Sequence, residues 1–128
     1  MSTRYVVDSW AWIEYFRGSR YGDIAKRHMD AGELFTSSFT VSEVTSKFDR
    51  EGLDVDEAFK AIISKSAVVS VDAADAKEAG MLHSSTKKLR PNFSLGDAFV
   101  LHTAKKLGAK VLTGDPDFKG LREAVMLI

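Results

Sequence analysis

The chain has 128 residues, 45% of them hydrophobic and 28% charged, which fits an ordinary globular protein. Lys plus Arg and Asp plus Glu both number 18, so no global basic bias draws it to nucleic acid; any such binding must use local patches. The absence of cysteine excludes disulfides, thiolate zinc sites and cysteine nucleophiles. The opening MSTRYVVD has no apolar signal region, and no apolar run approaches ~18 residues. A soluble, cytoplasmic protein without membrane attachment is expected, with one domain over residues 1–128.

Short apolar runs alternate with longer helical ones. Arg4 to Val7 reads as a strand and Ser9 to Arg17 as a helix closed by Gly18, with Ser9 available as its cap. Tyr21 to Asp30 reads as a second helix, and ELFTS (33–37) as a short strand. Val41 to Arg50 is helical, with Thr40 as the expected N-cap and Gly52 as the stop. DVDE opens a helix over 54–66 with a capping-box pattern. AVVSV (67–71) is a β-branched strand, followed by helices over 72–89 and 94–107. AKVLT (109–113) and AVML (124–127) complete the strands. Strands alternating with helices predict an α/β fold, a three-layer α/β/α arrangement on a mainly parallel central sheet. In such sheets ligands bind beyond the carboxyl ends of the strands.

Carboxylates stand where that rule points. Asp8 follows the first strand directly. Asp115 lies just past KVLT, with Asp117 two residues on. Glu43 and Asp97 occupy first turns of helices expected to start on the same side. Each of the last two also fits a plain capping box, Thr40-x-x-Glu43 and Ser94-x-x-Asp97, and Asp115-Pro116 is an ordinary turn signal. If the five converge, they repel one another and stay ionised only with a cation. Oxygen-only ligands, without Cys or paired His, favour Mg²⁺ or Mn²⁺ over zinc. Magnesium commonly joins a few carboxylates to phosphate oxygens, which points to phosphodiester hydrolysis.

The stretches VVDSWAWIEYF, TVSEV, SLGDAFVLHTA and VLTGDPDF, in that order, resemble the PIN domain family. The resemblance is greatest to the VapC-type toxin ribonucleases of toxin–antitoxin pairs, and it spans nearly the whole chain. It implies Asp8 and Asp97 as the principal metal-site acids, with Glu43 and Asp115 completing a catalytic quartet and Asp117 as a further acid. Ser9 and Thr113 match hydroxyl positions beside the first and fourth acids. It further implies Mg²⁺- or Mn²⁺-dependent cleavage of single-stranded RNA, a homodimer and an inhibiting antitoxin protein. An RNA-processing nuclease that is not a toxin, or a non-catalytic PIN-like binding module, would share these motifs.

Lys87, Lys88 and Arg90, just before the Asp97 helix, are the cations expected to meet the RNA backbone; a solvated helix end is the alternative. Arg17, Arg20, Lys105, Lys106 and Lys110 read more readily as solvated side chains. His28, His83 and His102 have no ligand spacing. A haloacid-dehalogenase-like phosphatase is disfavoured because Trp10 stands where its second Asp belongs. A receiver domain is disfavoured because DSW and LTGD lack its acidic pair and its Lys. Trp10, Trp12, Ile13, Tyr15 and Phe16 make the first helix apolar on more than one face, which predicts burial in the core or against a partner.

Overall fold

The structure is a computed structural model, and it describes residues 2–128. Five strands form one sheet: β1 (Arg4–Val7), β2 (Glu33–Ser37), β3 (Ala67–Val69), β4 (Lys110–Thr113) and β5 (Ala124–Met126). Six α-helices connect them: α1 (Ser9–Arg17), α2 (Arg20–Ala31), α3 (Ser38–Arg50), α4 (Val55–Lys65), α5 (Ala73–Lys87) and α6 (Leu95–Leu107). Every strand pair is parallel, and the order is β3-β2-β1-β4-β5. The chain winds outward from β1 to β3 on one side, then crosses to β4 and β5 on the other. The order therefore reverses between β1 and β4, and the crevice outside their carboxyl ends is the place such sheets offer to a ligand.

Both faces of the sheet are covered, as the continuous apolar strands require. Side chains alternate along a strand, so Tyr5 and Val7 enter one core while Val6 enters the other. Tyr5, Val7, Leu34 and Leu112 pack with Trp12, Val44 and Ile62 from α1, α3 and α4. Val6 and Val111 pack with Val100 and Leu101 of α6, and with Phe93 and Phe118. The apolar helix α1 is largely accounted for within the chain. Trp12 is fully buried, stacks on Phe16, and donates its indole N–H to Thr36 Oγ1 at 3.2 Å. That hydroxyl pairs with Ser66 Oγ at 2.7 Å, so a buried polar group is satisfied through a short chain.

Two helix caps differ from the sequence reading. Helix α3 begins at Ser38, not Val41, and its cap is Ser37, whose hydroxyl accepts from the Phe39 N–H at 3.2 Å. Thr40 lies inside the first turn, fully buried, and its hydroxyl has no protein partner. The stretch TSSFT holds four residues able to cap, and the strand delivers Ser37 to the turn first. Helix α1 has Asp8, not Ser9, at its N-cap position, with extended backbone and no side-chain cap bond. The strand β3 ends at Val69, two residues earlier than expected.

Candidate active site

The register of β1 against β4 builds the site. Val7 pairs with Leu112, and the Asp8 N–H donates to the Leu112 carbonyl at 3.1 Å. One residue past that pair, Thr113 Oγ1 donates to Asp8 Oδ2 at 2.7 Å and accepts from the Asp115 N–H at 3.0 Å. Thr113 is fully buried and so fixes both acids at once. Asp115 in turn caps the short 3₁₀ turn Pro116–Phe118, its Oδ1 accepting from the Asp117 N–H at 2.9 Å.

Asp97 comes from α6 and carries two tasks. With Ser94 it forms a reciprocal capping box: Ser94 Oγ accepts from the Asp97 N–H at 3.0 Å, and Asp97 Oδ2 accepts from the Ser94 N–H at 2.9 Å. The capping reading and the site reading of this residue are therefore compatible. Asp97, Asp115 and Asp117 form an acidic group, each offering an oxygen within 4.8 Å of the others. Glu43 reaches the group from α3. A Cβ on Gly96 would stand 3.0 Å from Glu43 Oε2 and from Phe39 Cε1, so the glycine lets α3 come close to the start of α6. Phe39 and Phe99, stacked with centroids 4.7 Å apart, hold the two helices together.

The charges of Asp97 and Asp115 act on Asp8 and Glu43 as well. Asp8 is pushed up to about 7, chiefly by burial and further by the charges of Asp97 and Asp115; the Thr113 bond opposes this. Glu43 is also pushed up to about 7, by burial and then by Asp8, Asp97 and Asp115. Burial raises Asp97 as well, against the pull of its Ser94 bonds, and burial with Asp115 raises Asp117. Five hard oxygen donors that repel one another fit a small divalent cation, which would offset the repulsion that now favours their protons. Their side chains are the ones able to hold it, with Thr113 positioning Asp8 and the Asp115 backbone.

The other expected residues divide. Ser9 lines the pocket that holds Asp8 and Asp115. Lys88 is exposed, while Lys87 Nζ donates to the Pro91 carbonyl at 2.9 Å. Arg90 Nη1 donates to the carbonyls of Asp117 (3.1 Å) and Lys119 (2.7 Å), so it braces the Asp117 loop. The histidines are engaged elsewhere, His102 with Asp75 at 2.9 Å, His83 with the Phe93 carbonyl and His28 with the Tyr5 hydroxyl. The sequence reading did not mark Lys47. Its signal is its position four residues after Glu43, on the same helix face.

Gly114 sits between Thr113 and Asp115, and any Cβ there would run into the Trp10 ring. Gly114→Ala is expected to destabilise the protein by about 1–3 kcal/mol, read as a lower urea midpoint. Trp10→Ala beforehand should remove most of that penalty, because the colliding ring is gone.

A parallel α/β domain with carboxylates clustered at its topological switch has oxygen donors where such sheets receive ligands. The PIN domain family model matches residues 5–124, and the chain belongs to that family. No curated protein sequence matches it. Among solved structures it is similar to Mycobacterium tuberculosis VapC20, described as a sarcin–ricin loop cleaving toxin. The TM-score is 0.73 at 19% identity, covering 94% of this chain and 96% of that one. It is similar to DNA-bound VapBC from Salmonella typhimurium, with TM-score 0.74, 14% identity and coverage of 98% and 99%. It is also similar to a toxin–antitoxin complex from Klebsiella pneumoniae, with TM-score 0.72, 19% identity and coverage of 99% and 98%. At these identities the likeness is one of fold.

Proposed function

We propose that residues 1–128 form a single Mg²⁺- or Mn²⁺-dependent ribonuclease domain that cleaves single-stranded RNA, and that it is the toxin of a toxin–antitoxin pair. The observation that carries this reading is the group of Asp97, Asp115 and Asp117, whose oxygens lie within 4.8 Å of one another, with Asp8 and Glu43 raised to about 7 by burial and by the charges of Asp97 and Asp115. A divalent cation bound there would lower the pKa of a water and neutralise charge on the scissile phosphate. Asp8 and Asp97 are the principal ligands in this reading, supported by Glu43, Asp115 and Asp117. Thr113 holds Asp8 and the Asp115 backbone in place, and Ser9 lines the approach. Lys87 and Lys88 supply positive charge for the RNA backbone beside the α6 start, and Arg90 contributes through the Asp117 loop.

The toxin role draws support from the similar structures, which are described as toxins and toxin–antitoxin complexes. It also draws support from an apolar groove of about 550 Å³ between α1, α3 and α4, lined by Phe16, Phe48 and Leu53 among others. This groove is the surface we assign to the antitoxin. Pairing of two copies is part of the same proposal, in keeping with exposed Met81, Leu89 and Leu95. No helix among the described residues is long and apolar enough to cross a membrane.

The test is cleavage of a panel of single-stranded RNAs by the full chain. Activity is expected with Mn²⁺ or Mg²⁺, and none with chelator; equal rates in chelator would sink the metal-dependent reading. Addition of the product of the neighbouring reading frame should suppress the activity if the chain is a toxin.

A further inference from the structure

A second pocket, of about 320 Å³, opens beside the acids between α1 and α3. Its lining brings together the carboxylates of Asp8, Glu14 and Asp115, the apolar Trp10 and Ile13, and the cations Arg17 and Lys47. The helices explain the arrangement. Asp8 stands at the start of α1 and Arg17 at its end, while Lys47 follows Glu43 by one helical turn, about 6 Å along α3. Each helix thus carries an acid at the site and a cation farther along the same pocket.

The two cations are held loosely. Arg17 lies 3.2 Å from Glu14 and 3.9 Å from Glu51, and Lys47 lies 3.2 Å from Glu51. The two cations are 53% and 37% exposed and Glu51 42%, so the pairs to Glu51 are screened by water and salt and are cheaply exchanged, whereas Glu14 is only 16% exposed. A polyanion approaching five carboxylates is repelled wherever no cation intervenes. Positive charge near the acids, together with aromatic and aliphatic side chains, is the combination by which proteins track a single strand.

We infer that Arg17 and Lys47 form a phosphate subsite that holds a neighbouring phosphate of the RNA strand beside the scissile one, both releasing Glu51 for the phosphate while Arg17 keeps its bond to Glu14. The inference rests on the nuclease reading above. Both residues are positioning residues, since neither lies among the carboxylates.

Binding and cleavage separate the two ideas. Affinity for a fluorescent single-stranded RNA is measured in the full-length Asp97→Asn protein, with and without Arg17→Gln plus Lys47→Gln, across a salt series. The added pair of substitutions is expected to weaken binding about tenfold and to lower the slope of log K against log salt by about 0.7, one phosphate contact on a single strand. Lys47→Arg should retain wild-type affinity. Glu51→Gln removes the two pairs made by Glu51, leaves Arg17 on Glu14 and leaves both cations, and should tighten binding or leave it unchanged. Unaltered affinity and slope in the doubly substituted protein would overturn the subsite. So would a Glu51→Gln protein that binds as weakly as that one, because the cations would then act only through their ion pairs. Failure of the otherwise unaltered chain to cleave RNA, with cation-dependent binding intact, overturns the nuclease reading alone.

Discussion

In chelator, the protein is expected to lose stability as the pH rises from about 4 to 8. Asp8 and Glu43 have folded-state pKa values of about 7, against ordinary values of 3.8 and 4.5. The native state therefore keeps protons that the unfolded chain has released, and unfolding is favoured by raising the pH. The stability associated with these protons is fully present below about pH 4 and is lost as the pH passes through about 7. One pKa unit is worth about 1.4 kcal/mol, so the change is on the order of 3–5 kcal/mol. The two shifts overlap, since each group raises the other, and they do not add in full. Asp75 works in the opposite sense at the acid end. His102 and Lys106 hold its carboxyl well below the usual range, so its contribution is lost only as the pH falls below about 4. Maximum stability should lie near pH 4–5.

Urea unfolding in chelator at pH 5 and pH 8 checks this. Asp8→Asn should flatten the difference, because the amide can still accept the Thr113 hydroxyl while carrying no charge to repel its neighbours. Mn²⁺ at pH 8 should restore stability, by about 2.7 kcal/mol at a hundred times its dissociation constant. Equal urea midpoints at the two pH values would refute the account of a buried, mutually repelling cluster.

The second large effect separates the two tasks of Asp97. Asparagine at this position keeps a carbonyl to accept the Ser94 N–H, so Asp97→Asn should preserve the capping box. It also removes a charge from beside Asp115 and Asp117. Its melting temperature in chelator is therefore expected to equal or exceed that of the wild type. Cleavage should fall by at least about a hundredfold, more than is lost when a group merely supporting a metal ligand is removed. Asp97→Ala should lose the same activity and, in addition, about 0.5–1 kcal/mol of stability with the cap. An active Asp97→Asn protein with its fold intact would exclude Asp97 from the chemistry.

The elements were legible because each rests on local chemistry. Val6, Val7, Val111 and Leu112 are apolar without interruption since their strands are covered on both faces. Ser94 with Asp97, and Gly18 and Gly108 past their helices, mark helix ends that the backbone requires. Where several residues compete for one task, local chemistry is not enough. Ser37 takes the cap assigned to Thr40, and the Asp8 carboxylate turns away from its helix to Thr113, 105 residues distant. The acids fall at strand ends and helix starts, and that much is visible in the sequence. Their meeting depends on β1 lying beside β4, a long-range pairing that periodicity does not contain. The same holds for Arg17, which reads as a solvated residue until α3 brings Lys47 to the same pocket.

The sheet also constrains how this chain can meet other molecules. Its two outer strands, β3 and β5, have three residues each. So short an edge offers few free backbone groups for a foreign strand to pair with. Lengthening β3 by the two further residues of AVVSV would give an edge able to template strand addition. As built, the ends of the sheet discourage self-propagating assembly, and association is left to the side chains of the helices, where it can be selective.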